Sequence, residues 1–143
     1  MLSISLKEFL SWKNKQLSKG GDNQSFSLLL DCIGGISNND LNLLKINSKN
    51  NVYLKKNLDF LESIWDYHLL NYSPIQYLCG ITFWRDLKLE VTDKVLIPRP
   101  ETELIVDIVL KIFGEKSQKL FFAELGTGSG AISIALALAY PLW

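Results

Sequence analysis

The chain has 143 residues, with 15 lysines and arginines against 15 aspartates and glutamates, so its formal net charge is zero. Hydrophobic residues make up 48% and charged residues 21%, too much apolar surface for a chain that stays disordered in water. Residues 1–72 hold eight lysines and seven acids, and residues 73–143 hold seven basic and eight acidic residues, so neither half is a basic footprint for nucleic acid.

From the N-terminus, Lys7, Glu8 and Lys13 interrupt any apolar run, so nothing there reads as a signal peptide. Ser5-Leu-Lys-Glu8 has capping-box form, and Leu6, Phe9, Leu10 and Leu17 mark one face of a first helix. Gly20-Gly21-Asp22-Asn23 breaks it. Phe26, Leu29, Leu30 and Ile33 form a second stripe, stopped by Gly34-Gly35. Asn38, Asn39 or Asp40 can cap a short third helix through Leu41 and Leu44. Leu54, Leu58, Leu61, Trp65 and Leu69 make the clearest stripe. Residues 1–72 are therefore expected to form a helical bundle, a module suited to binding or positioning. Trp12, Trp65 and Trp84 are expected as packing anchors, His68 as a packed or surface histidine, and Lys55-Lys56 as a solvated face. Cys32 and Cys79 lie too far apart in sequence for a metal or redox pair. They are expected as two reduced, half-buried thiols, and no metal site is expected.

The pattern changes at Ser73-Pro74. Leu87, Leu89 and Val91 alternate with Lys88 and Glu90, which is the period of a strand. Thr92-Asp93-Lys94 reads as a turn and Val95-Leu96-Ile97 as a second strand, giving a β-hairpin that Pro98 and Pro100 stop. Glu101 to Phe113 reads as a helix with Ile105, Ile108, Val109 and Ile112 on its buried face and Gly114 at its end. Leu120 to Leu125 reads as a short strand covered on both faces, and Ala131 to Tyr140 as a helix ended by Pro141. The longest apolar run, from Ala131 to Trp143, falls short of the ~20 residues that span a bilayer. A soluble cytoplasmic protein is expected.

Gly126-Thr-Gly128-Ser-Gly130, between that strand and helix, carries the chemistry. Glycines let the chain turn sharply and let a ligand touch the backbone, while the amides of the helix start point into the same space. Two cofactor classes fit. Gly126, Gly128 and Ala131 satisfy the dinucleotide fingerprint. An acid at the strand end, Glu124, with glycines at alternate positions suits S-adenosylmethionine. The acidic residue ~20 positions further on that holds ribose hydroxyls would fall past Trp143, so the loop alone leaves both open.

The upstream segment separates them. Pro74-Ile-Gln-Tyr77-Leu-Cys-Gly80, Phe83-Trp84, Leu96-Ile97-Pro98-Arg99-Pro100-Glu101-Thr102-Glu103 and Glu124-Leu-Gly-Thr-Gly-Ser-Gly-Ala-Ile132 occur in that order. This closely resembles the PrmC/HemK family of protein-glutamine methyltransferases, which act on peptide chain release factors. The family usually has Asp where this chain has Glu124. Its catalytic Asn-Pro-Pro-Tyr motif, which clamps the substrate amide, does not occur in these 143 residues.

The resemblance implies methyl transfer from S-adenosylmethionine to the glutamine of a Gly-Gly-Gln loop, with a class-1 release factor as partner. It implies no direct nucleic-acid or membrane partner, and a monomer is expected. It implies that Glu124, Gly126, Thr127, Gly128, Ser129 and Gly130 bind the cofactor, and that Arg99, Glu101, Thr102 and Glu103 form a wall beside cofactor and substrate. No catalytic residue is assigned. The expected fold class is α+β in two domains: a helical substrate-recognition domain over 1–72, a β-hairpin linker over 73–97, and over 98–143 an incomplete Rossmann-like class I methyltransferase domain. The chain is expected to be inactive alone. The alternatives are a non-catalytic remnant that acts as a binding module, and a nicotinamide-dependent oxidoreductase fragment.

Overall fold

In the computed structural model, which describes residues 1–46, 50–114 and 121–141 and only the backbone of Lys45, the chain forms two units, 1–79 and 80–143. The first begins on a strand, β1 (Leu2–Ser5). Ser5 then caps α1 (Leu6–Ser18), its Oγ accepting the Glu8 N–H at 3.2 Å, which is the hydroxyl half of the expected capping box. Asp22 caps α2 (Asn23–Leu29), accepting from the Ser25 N–H at 2.8 Å and from the Ser25 hydroxyl at 2.7 Å. A π-helical turn, Leu30–Gly34, follows and ends on Gly35 at φ 74°, a left-handed position that glycine takes without strain.

Helix α3 (Asn38–Ile46) starts one residue earlier than the expected caps. The Asp40 N–H donates to Ser37 Oγ at 3.2 Å and the Ser37 N–H to Asp40 Oδ2 at 3.0 Å, so Ser37 is the cap and Asp40 its reciprocal partner. Asn57 caps α4 (Leu58–Asn71) by accepting the Phe60 N–H at 2.9 Å. A short α5 (Ile75–Cys79) follows Pro74.

Residues 1–72 are thus not wholly helical. β1 pairs antiparallel with β2 (Asn51–Leu54), Leu2 opposite Leu54 and Ser5 opposite Asn51. Val52 and Leu54 point inward and Asn51 and Tyr53 outward, the two-residue period of a half-buried strand. The core closes around Phe9, Phe26, Leu29, Leu61 and Trp65, all fully buried. Rings run in contact from Phe9 through Trp12, Phe26 and Trp65 to His68, with centroids 4.8–5.8 Å apart. His68 is a packed histidine, its Nδ1 2.6 Å from the Ser73 carbonyl oxygen. The fold also brings Cys32 and Cys79 together, which their separation in sequence gave no reason to expect.

The Asp22 cap makes the first unit sensitive to acid. Its bonds from Ser25 hold the carboxyl below its ordinary pKa. The cap is therefore fully stabilising above the ordinary carboxylate value, and its contribution is lost as pH falls through the lowered one. Asp22→Ala should cost about 1 kcal/mol near neutrality and nothing in acid. Urea midpoints of the two proteins at both pH values check this, and a penalty that persists in acid would contradict it.

In the second unit, β3 (Ile81–Trp84) and β4 (Leu87–Glu90) pair antiparallel, with Trp84 opposite Leu87. The hairpin turn is therefore Arg85-Asp86, with Arg85 at φ 50°, and not Thr92-Asp93-Lys94 as expected. Residues 92–95 do turn, the Val95 N–H reaching the Thr92 carbonyl at 3.1 Å, but Val95–Ile97 forms no strand. The segment expected as a linker over 73–97 is divided: α5 belongs to the first unit and the hairpin to the second.

The expected helix from Glu101 begins as a 3₁₀ turn, Pro100–Thr102, and continues as α6 (Glu103–Phe113), closed by Gly114. Its covered face is Val106, Val109, Leu110 and Phe113. Of the expected buried face only Val109 is covered. Ile105, Ile108 and Ile112 are 46–63% exposed. Asp107 and Lys111 are the only charged residues after Glu103 in this helix, so periodicity could not choose between its two apolar faces. Helix α7 (Ala131–Ala139) forms as expected. It packs with α6 and the hairpin around Trp84, Leu89, Val106 and Leu136. The described residues are a mixture of helix and strand compatible with part of an α/β methyltransferase. None of their helices is long and apolar enough to cross a membrane.

Candidate functional site

The glycine loop opens α7. Gly126, Gly128 and Gly130 all have positive φ, at 75°, 55° and 76°, conformations that would strain any residue with a Cβ. The Gly130 N–H closes a turn on the Thr127 carbonyl at 2.8 Å, and Gly130 caps the helix without a side chain. A Cβ added at Gly126 would meet nothing within 4 Å, and one at Gly128 would just reach Gly126 and Val95. Backbone is thus presented to open space. The side of Gly128 is bounded by Val95, in the stretch that leads to Arg99.

Glu124 ties this loop to the helix it opens. One carboxylate oxygen accepts from the Thr127 hydroxyl at 3.1 Å, from the Ser133 N–H at 3.1 Å, and from the Ser133 hydroxyl. Ser133 lies in the first turn of α7, whose N–H groups lack helical partners. The carboxylate therefore places negative charge at the positive end of the helix dipole. It also fixes the curvature of the loop between residues 124 and 133. Ser133 was not singled out from the sequence. Its signal was available: a hydroxyl in the first helical turn, behind a glycine cap that has no side chain of its own.

The expected wall divides by role. Arg99 is exposed, and its carbonyl accepts from Trp84 Nε1 at 2.9 Å and from the Thr102 N–H at 3.1 Å. Glu101 is exposed and Thr102 half-buried. Glu103 turns to the hairpin instead: its carboxylate accepts the Arg85 N–H at 3.4 Å and its carbonyl the Arg85 guanidinium at 3.2 Å. The same guanidinium nitrogen pairs with Asp107 at 2.8 Å. Trp84 and Arg85 thus bolt the hairpin to residues 99–107, two anchors that sequence reasoning used only as packing or not at all. Trp12 and Trp65 are also buried, and Lys55 and Lys56 are exposed, with the Lys56 ammonium 5.3 Å from the Phe60 ring centroid. Among the described residues no group of three His, Cys, Asp or Glu side chains could hold a metal ion.

No family model matches the chain. Individual proteins do. The release factor glutamine methyltransferase of Prochlorococcus marinus is 44% identical over 141 residues, 98% of this chain and 48% of that protein. By sequence, the chain is a relative of the release factor glutamine methyltransferases. The Streptococcus pneumoniae release factor glutamine methyltransferase is 31% identical over 94% of this chain and 46% of its own length. That of Coxiella burnetii is 49% identical over half of this chain and 25% of its own. The chain spans about half the length, or less, of the release factor glutamine methyltransferases it matches.

Proposed function

We propose that this chain carries the cofactor-loop part of a release factor glutamine methyltransferase, with the first unit as its substrate-recognition module. The observation that carries the reading is the Glu124 carboxylate on the first turn of α7. A dinucleotide would seat its pyrophosphate on that helix start. Glu124 already takes the Ser133 N–H there, and its charge would repel phosphate. A sulfonium cofactor brings positive charge and no phosphate, so the same carboxylate favours it. The nicotinamide reading loses its support at this residue, although the glycine spacing alone allowed it.

S-adenosylmethionine, when bound, supplies an electrophilic methyl group on sulfur. The residues that would hold it are the backbone of Gly126–Gly130 and the carboxylate of Glu124. The three left-handed glycines leave room for backbone approach, and the fixed loop avoids reorganisation on binding. Arg99 and Glu101, exposed on a segment stiffened by Pro98 and Pro100, would bound the site on the substrate side. An amide nitrogen is a poor nucleophile and needs alignment with the methyl group. The Asn-Pro-Pro-Tyr clamp that the family uses for this is not among these 143 residues. The second domain is accordingly read as part of a Rossmann-like class I methyltransferase fold, in a cytoplasmic protein.

Calorimetry tests the reading. S-adenosylmethionine or its demethylated product should bind, weakly, and in preference to NAD. Gly128→Val should abolish binding, since a branched side chain at φ 55° both strains the loop and blocks the backbone. Tighter binding of NAD would overturn the assignment. Incubated with a release factor and methyl-labelled cofactor, the 143 residues alone should leave the Gly-Gly-Gln glutamine unlabelled, and label above background there would show that the amide clamp is dispensable.

A further inference from the structure

Two cysteines 47 positions apart meet in the first unit, and the elements that carry them explain why. Cys32 sits in the π-helical turn Leu30–Gly34 that extends α2, three residues after the fully buried Leu29. Cys79 is the last residue of α5, four after the fully buried Ile75. Four residues return an α-helix to the same face, so Cys79 lies over Ile75, and α2 and α5 pack on each other. Cys79 is therefore turned toward the core, and Cys32 meets it from the turn that extends α2. Both stay half-buried, Cys79 packed against the core cluster, and the Cys79 thiol is hydrogen-bonded to the Cys32 side chain.

We propose that Cys32 and Cys79 are a site of reversible oxidative modification, closing an intramolecular disulfide when a peroxide reaches Cys32. The order of events follows from the environment of each thiol. Burial pushes the Cys79 thiol up to about 12, and negative charge on Cys32 adds to the rise. Cys79 therefore stays protonated, and the attacking thiolate is assigned to Cys32. The Cys32 thiolate attacks the O–O bond of hydrogen peroxide, giving a sulfenic acid and releasing hydroxide. The Cys79 sulfur then attacks the sulfenic sulfur. The S–S bond forms, the S–O bond breaks, and the Cys79 proton leaves with the departing hydroxide as water. In sum two thiols lose two electrons and two protons, and one peroxide becomes two waters. A dithiol reductant reverses the reaction.

The consequence is local to the first unit. α5 is a five-residue helix, too short to be stable without its packing. A bond from its last residue to the π-helical turn would pin it to the core. The proposal does not depend on the methyltransferase reading, and its readout involves neither cofactor nor release factor.

The full chain is treated with hydrogen peroxide, alkylated with iodoacetamide and digested without reductant. Mass spectrometry should find one cross-linked peptide pair joining Cys32 to Cys79, with the intact protein lighter by two hydrogens and unalkylated at both positions. Dithiothreitol should restore two alkylatable thiols. Because the two side chains start hydrogen-bonded, the folded chain should close the bond at least about tenfold faster than the same chain in urea. Cys79→Ser should leave Cys32 trapped as the sulfenic acid or its adducts, and Cys32→Ser should leave Cys79 slow to react with either reagent. Retention of both thiols in the folded, peroxide-treated chain would overturn the proposal. So would disulfides found only between copies, or equal rates in the folded and urea-treated chain.

Discussion

Trp65→Ala should remove a large share of the first unit's stability. The indole is fully buried. It meets Phe26 edge-on at 4.8 Å and the tilted His68 ring at 4.9 Å, and it donates from Nε1 to the Gln16 carbonyl at 3.2 Å. Truncating a buried aromatic to alanine costs about 3–5 kcal/mol, while a domain holds only about 5–15 kcal/mol in total. The backbone has been shaped around this ring. A Cβ placed on Gly21, at φ 80°, would lie 2.5 Å from the Trp65 ring carbon Cζ2, so the loop between α1 and α2 can pass there only as glycine. Far-UV circular dichroism in urea should show the helical signal of Trp65→Ala lost at much lower denaturant, with Trp65→Phe intermediate. A midpoint near that of the wild-type chain would mean that the neighbours refill the space and that this ring is not the keystone of the core.

Of the helix starts in the first unit only that of α1 is legible as it stands, because Ser5 with Glu8 three residues on has capping-box form; Asp22 reads only as part of a break, and Asn57 lies hidden inside a stripe begun at Leu54. In the fold Ser5, Asp22 and Asn57 each accept an N–H three residues on. The two-stranded sheet was not legible, for an equally local reason. β2 has four residues, and its Leu54 stands four before Leu58. A strand residue thus extended the stripe of α4 by coincidence of spacing. The hairpin was found but misplaced, because Arg85-Asp86 is not a sequence that announces a two-residue turn. Its tip is held instead by Glu103 and Asp107 from 18 and 22 residues away.

At the candidate site, the glycines and Glu124 were legible because backbone conformation and charge at a helix start follow from residue type. The role of Glu103 was not, since Arg85 approaches it through the fold. The Cys32–Cys79 pair was hidden for the same reason: sequence distance limits a pairing only until helices pack.

Residues 121–125 should exchange their amides rapidly, and the full chain should self-associate as its concentration rises. The stretch from Leu120 to Leu125 has the composition of a central strand, apolar on both faces. Leu120 lies outside the described residues, and Phe121–Leu125 is not paired as a strand. Phe121 and Leu125 are each 96% exposed and Phe122 is 44% exposed. On the same unit, Ile105, Ile108 and Ile112 of α6 are open as well. Burying a side chain of this size is worth about 1.5–3 kcal/mol, so several such groups together provide a driving force that surface charge in a chain of zero net charge does little to oppose. An unpaired apolar segment is also a template for pairing with another copy. Phe121→Asp combined with Leu125→Asp should therefore raise the concentration at which light scattering first detects assemblies, without changing the urea midpoint of the first unit. Strong, uniform hydrogen-exchange protection across residues 121–125 in a monomer would show that these residues find strand partners, and that the second unit covers its apolar faces by itself.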